Sequence, residues 1–148
     1  MYPVSWQHHD LLMAVLMVKK GVRNNTSAEL LSSFLVHVWD SILSKHIKRE
    51  EEAFSFSVCQ PELSACYQRI IEEHQQLSCM LSVLQEEKSL ELVIALNELL
   101  EQHIRYEERV FFPALQANVS TEKMSLLGQV LGKLEKHSCL NYPVRFWE

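Results

Sequence analysis

Two stretches, His46-Ile47-Lys48-Arg49-Glu50 and His103-Ile104-Arg105-Tyr106-Glu107, repeat one spacing of imidazole and carboxylate inside strongly apolar helical stripes. Four residues is close to one α-helical turn, so each His and Glu project from the same face, about 6 Å apart. Leu31, Leu35, Val38, Trp39 and Ile42 lead into the first pair and Phe54 follows it. Leu92, Leu96, Leu99 and Leu100 lead into the second, with Val110 and Phe111 beyond. The pairs therefore stand on core faces. A carboxylate buried there is costly to keep ionised and needs a cation, a proton or a donor beside it.

The remainder of the chain also has helical character. Only 3 Gly and 4 Pro interrupt 148 residues that are 47% hydrophobic, and most of the residues between them are good helix formers. Trp6 to Lys20 carries Leu12, Val15 and Leu16 on one face and ends at Gly21, a helix-terminating residue. Ser27 to Phe54 follows, with N-caps available from Asn24 to Ser27. Pro61 opens a third segment reaching Lys88, with Leu63, Tyr67, Ile70, Ile71, Leu77, Leu81 and Leu84 inward and His74 among them. Ser89 caps a fourth, in which Pro113 stops the regular pattern. A shorter helix from Ser120 to His137 precedes an aromatic tail, Asn141 to Glu148, expected to pack on the other helices. Short connections predict an all-α, antiparallel up-down-up-down four-helix bundle with a short fifth C-terminal helix, and residues 1–148 read as a single domain.

The net charge of −5 counts every carboxylate as uncompensated. Lys and Arg are scattered without the clustered stripe that phosphate backbones require, which argues against nucleic acid as a partner. The apolar run Leu11 to Val18 is too short to span a bilayer and has no signal-peptide cleavage site behind it, so no membrane partner is expected. Cys59, Cys66, Cys79 and Cys139 form no C-x-x-C pair and no disulfide framework, which suits a reducing, cytoplasmic setting.

In an alternating bundle the start of the first helix lies level with the ends of the second and fourth. His9, His46, Glu50, His74, His103 and Glu107 can then converge. His8 and His9 are adjacent, so only one can face inward; Leu12, Val15 and Leu16 at +3, +6 and +7 favour His9. Glu51 and Glu108 lie about 100° around the helix from Glu50 and Glu107 and are discounted as ligands. His37 and His137 read as surface or structural residues. Imidazole and carboxylate without thiolate suit iron or manganese, with zinc as a competitor. Two carboxylates shared among four histidines suggest two metals, with open positions left for dioxygen, nitric oxide or peroxide.

These residues resemble the hemerythrin-like, HHE cation-binding family. The likeness spans Gln7-His8-His9-Asp10-Leu11-Leu12, the first His/Glu pair, Glu73-His74, and the stretch from His103 to Phe111-Phe112-Pro113, the most specific part. It implies a four-helix bundle around two non-haem irons, with His9, His46, His74 and His103 terminal and Glu50 and Glu107 bridging. Oxygen-carrying members add a fifth His in an H-x-x-x-H pair on the third helix, but Ile70 and Ser78 flank His74 here. The expected function is a di-iron protein meeting dioxygen or a related small oxidant as sensor, buffer or stress protein. Two alternatives stand beside it: a di-iron enzyme acting on peroxide or nitric oxide, and a metal-free helical interaction module docking through the aromatic tail. Neither the oligomeric state nor a protein partner is indicated by the sequence.

Overall fold

The computed structural model describes residues 3–131 and 142–148, and every regular element among them is helical. Helix α1 spans Pro3–Arg23, α2 Ala28–Val38, α3 Ser44–Phe54, α4 Pro61–Glu87, α5 Leu90–Tyr106, α6 Phe112–Asn118 and α7 Thr121–Leu131. Ser27 and Ser89 act as the expected N-caps, each accepting a hydrogen bond from the backbone N–H three residues on. Helix α1 packs on α2 and α5, α4 packs on α2 and α5, and α7 lies against α3 and α1.

Two wide π-type turns join helices that the sequence predicts as regular. Trp39–Leu43 links α2 to α3, and Glu107–Phe111 links α5 to α6. In each, the N–H that closes the turn bonds to a carbonyl five residues back, Ser44 to Trp39 and Phe112 to Glu107. Their cause is visible in the burial pattern. Val38, Ile42, His46, Glu50 and Phe54 are all buried at steps of four. In an unbroken α-helix each such step overshoots by about 40°, so the stripe would wind off the core. One extra residue in a wide turn returns it to the same face.

Pro113 does not end the fourth segment. It sits in the first turn of α6, where its missing N–H costs little, and the helix runs on to bury Leu115. Gly21 likewise does not end α1, which continues to Arg23; the left-handed residue beyond it is Asn25, φ 59°. Gly21 serves close approach instead. A β-carbon there would lie 2.6 Å from the Phe146 ring and 2.7 Å from a Leu31 methyl.

The tail packs as expected. Phe34 meets Phe146 and Tyr142 edge-on, both at 5.0 Å, and the Asn24 side chain donates to the carbonyls of Phe146 and Glu148. The end of the predicted fifth helix, with His137 and Cys139, lies outside the described residues. Cys59, Cys66 and Cys79 are free thiols. Among the described residues, no helix is long and apolar enough to cross a membrane.

The core divides into two apolar clusters. One gathers Leu11 to Val18, Leu31 to Ile47, Leu77 to Leu84 and Val93 to Ile104; the other gathers Ala53, Phe54, Leu63, Ile70, Phe111 and Leu115. Between Ile47 and Ala53, between Ile70 and Leu77, and between Ile104 and Phe111, each helix contributes one polar turn. Those turns hold Glu50, His74 and Glu107, so the polar layer is walled by hydrocarbon on two sides.

Candidate metal centre

Six side chains from four segments meet in that layer: His8, His46, Glu50, His74, His103 and Glu107, each at most 2% exposed. His9 is not among them. It is exposed and lines a shallow surface cavity with Leu12, Met13 and Lys19. The buried face of α1 runs through Leu11, Ala14, Val15 and Val18, with Leu16 left outside, so it is turned one residue from the expected stripe and carries His8 inward. Eight consecutive apolar residues from Leu11 to Val18 satisfy either phase, which is why the sequence favoured the wrong neighbour.

The six groups form two overlapping sets. His8 and His46 gather with Glu50 and Glu107, and His74 and His103 gather with the same two carboxylates; within each set one ligand atom per residue lies within 4.8 Å of all the others. His46 Nε2 is 3.1 Å from Glu50 Oε1, His103 Nε2 is 2.8 Å from Glu107 Oε1, and His74 Nε2 is 3.5 Å from Glu50 Oε1. His8 Nε2 lies 3.8 Å from Glu50 and 3.7 Å from Glu107.

Each ring is held from behind through Nδ1. His46 bonds to Gln7 Oε1 at 2.7 Å, His103 to Glu73 Oε1 at 3.1 Å, and His8 and His74 to Glu108 and Glu51, both at 3.2 Å. These four outer groups are absent from the sequence-based site. Glu51 and Glu108 do point away from Glu50 and Glu107, as their helical angle requires, but toward histidines on neighbouring helices. The available signal was adjacency, because every one of the four stands next in sequence to a member of the site.

With Nδ1–H donating outward, the inward Nε2 of a neutral ring presents a lone pair. It then faces carboxylate oxygens, acceptor against acceptor. Both oxygens of Glu50, both of Glu107, and Nε2 of His74 and His103 are buried without a hydrogen-bond partner. Such a constellation is incomplete until something positive sits inside it. Nitrogen and oxygen donors in this proportion fit a borderline-to-hard divalent cation such as iron.

Without a cation, the titrating groups balance one another. Burial raises the Glu107 carboxyl well above its usual range, reinforced by the charge of Glu50. Burial acts the same way on Glu50, but the His46 ring, and Glu107 and His74 close beside it, outweigh it and hold Glu50 well below that range. Burial lowers His46. At His8 burial also lowers the pKa, yet Glu108, Glu50 and Glu107 overcome it and bring the ring to about 9.

A chain whose regular elements, among the described residues, are all helical and which buries two carboxylate-sharing sets of histidines is a helical cation-binding protein. The model of the hemerythrin HHE cation-binding domain matches residues 6–115, and the chain belongs to that family. No curated protein and no solved structure matches it.

Proposed function

We propose that the chain is a single-domain, cytoplasmic protein, built as an antiparallel up-down-up-down bundle, that holds two non-haem iron ions and meets dioxygen or a related small oxidant. It would serve as sensor, buffer or stress protein. The observation that carries this reading is the sharing of Glu50 and Glu107 by both histidine pairs. Two carboxylates with four orphaned oxygens match two cations better than one. In this reading His8 and His46 would hold one position and His74 and His103 the other, with Glu50 and Glu107 available to both; His9 has no part. Manganese or zinc would suit the same donors.

A bound iron pair supplies redox-active metal with coordination sites left for a small exogenous ligand. The chain's own contribution is to orient the rings through Nδ1 and to exclude water with the apolar clusters above and below. Phe112 stacks on His8, with centroids 5.7 Å apart and planes 9° from parallel, and closes one wall. Ile70, one turn before His74, is buried in hydrocarbon where a fifth histidine would have to stand, and Ser78, one turn after, is exposed.

Protein produced with ample iron is expected to hold two irons per chain and to show near-ultraviolet absorption that changes on exposure to air. His46→Ala and Glu107→Ala should lose most of that iron. A content far below two, unchanged by either substitution, would sink the proposal. The lack of a fifth histidine also motivates a second reading, an enzyme turning over peroxide or nitric oxide. Stopped-flow mixing decides it: repeated turnover with an added reductant supports the enzyme, and one stoichiometric event dismisses it.

A further inference from the structure

The outer partners of the histidines follow a repeat with one break. Gln7-His8 and His46-x-x-x-Glu50-Glu51 form one half of the site, and Glu73-His74 and His103-x-x-x-Glu107-Glu108 form the other. Within each half, the residue before the lone histidine holds Nδ1 of the paired one: Gln7 holds His46, and Glu73 holds His103. Between halves, the second glutamate of each pair reaches across: Glu51 holds His74, and Glu108 holds His8. All five positions of one half have a counterpart in the other. The only chemical difference is an amide at Gln7 where its counterpart Glu73 has a carboxylate.

From this we infer that Gln7 and Glu73 are positioning residues that make the two cation positions unequal, the one at His74 and His103 binding a divalent cation more tightly. The inference rests on the two-cation reading of the site. An imidazole whose Nδ1–H is held by a carboxylate is a stronger donor through Nε2 than one held by a neutral amide. His74 and His103 both have carboxylate partners, whereas His8 has one and His46 has an amide. Glu73 is only 8% exposed, and its Oε1 lies 3.1 Å from His103 Nδ1. Arg69 lies 3.6 Å from Oε2 and is half exposed, leaving Oε1 to the ring.

The test is a titration of the metal-free full chain with cobalt(II), followed by calorimetry and visible absorption. Two cations in one site repel, so two steps are expected in any case; the variants carry the discrimination. Outer-partner changes alter metal affinity by about 10- to 100-fold. Glu73→Gln should weaken the first step by about that factor, and Gln7→Glu should tighten the second. Each single change makes the two halves alike, so the ratio of stepwise dissociation constants narrows in both. The double variant Gln7→Glu/Glu73→Gln should restore the wild-type ratio. A merely structural role predicts progressive loss of binding from single to double.

A ratio unchanged or widened in either single variant overturns the inference, as does a double variant that fails to recover. If Glu73→Gln does not fold, Gln7→Glu alone still decides by whether the ratio narrows. Binding of one cobalt or none to the wild type refutes the two-cation reading and the inference together. Two cobalt ions with the expected variant pattern, in a chain that takes up no iron, removes only the assignment to iron.

Discussion

Metal-free, the centre supplies its own charge balance, and His8 is its pivot. A ring held at about 9 is protonated at neutral pH, with one N–H on Glu108 and the other 3.2 Å from His46 Nε2, whose lowered pKa keeps it a neutral acceptor. Burial biases Glu107 toward its protonated form, and the groups beside Glu50 bias that carboxyl toward its ionised form. The folded pKa of His8 lies above the unfolded value of 6.5, so its stabilising contribution is complete below pH 6.5 and is lost as pH rises through about 9. The full contribution is about 3 kcal/mol. Chelated protein is thus expected to melt progressively lower from pH 6 to 9.5, and His8→Gln should flatten that slope. If the two slopes coincide, His8 is not the group responsible. Cation binding must displace the protons on His8 and Glu107, so loading near pH 7 should release about two protons per pair of cations. Calorimetry in buffers of different ionisation enthalpy measures this number, and Glu107→Gln should lower it by about one if any binding survives.

Helices set which side chains can reach this layer, and the wide turns set it most strictly. Because Trp39–Leu43 takes up one residue more than an α-turn, Val38 and His46 share a face despite their eight-residue separation. Removing the exposed Asp40 should convert that turn to ordinary α-helix with both faces kept in line. Removing the exposed Lys48 instead puts His46 and Glu50 three residues apart with no spare residue to absorb the change. The Asp40 deletion is expected to retain the fold and most of the bound metal, while the Lys48 deletion loses the metal. Circular dichroism melts and metal analysis of the two compare them directly, and equal loss in both would contradict this role for the wide turn. Neither π turn was visible in the spacing of apolar residues taken locally. The signal was cumulative: four consecutive steps of four from Val38 to Phe54 exceed what a 3.6-residue period keeps on one face.

What the sequence made legible is what repeats along a helix. The stripes of α4 and α5 gave His74 and His103 their inward orientation, the continuation of the α5 stripe into the wide turn gave Glu107 its own, and the same logic placed His46 and Glu50. It failed where a stripe was apolar on every side, as around Leu11 to Val18, and His9 was favoured over His8. It was also blind to Glu51, Glu73 and Glu108, because contacts between helices depend on packing and not on position along one chain segment. The assembled protein places this polar layer between two apolar clusters, so the helices cannot close well over six unsatisfied polar atoms unless a cation or protons join them. Binding should therefore stabilise the fold directly. A single ligand at about a thousand times its dissociation constant adds about 4 kcal/mol. For a chain of this length each kcal/mol moves the melting temperature by roughly 2 to 4 °C. Loaded wild type is expected to melt at least about 10 °C above the chelated form at pH 7, by scanning calorimetry. Glu107→Gln, an isosteric replacement for a carboxyl that is protonated in the metal-free state, should leave the chelated melting temperature nearly unchanged and abolish most of the increment on loading. An increment that survives in Glu107→Gln would place the stabilising cation elsewhere on the protein.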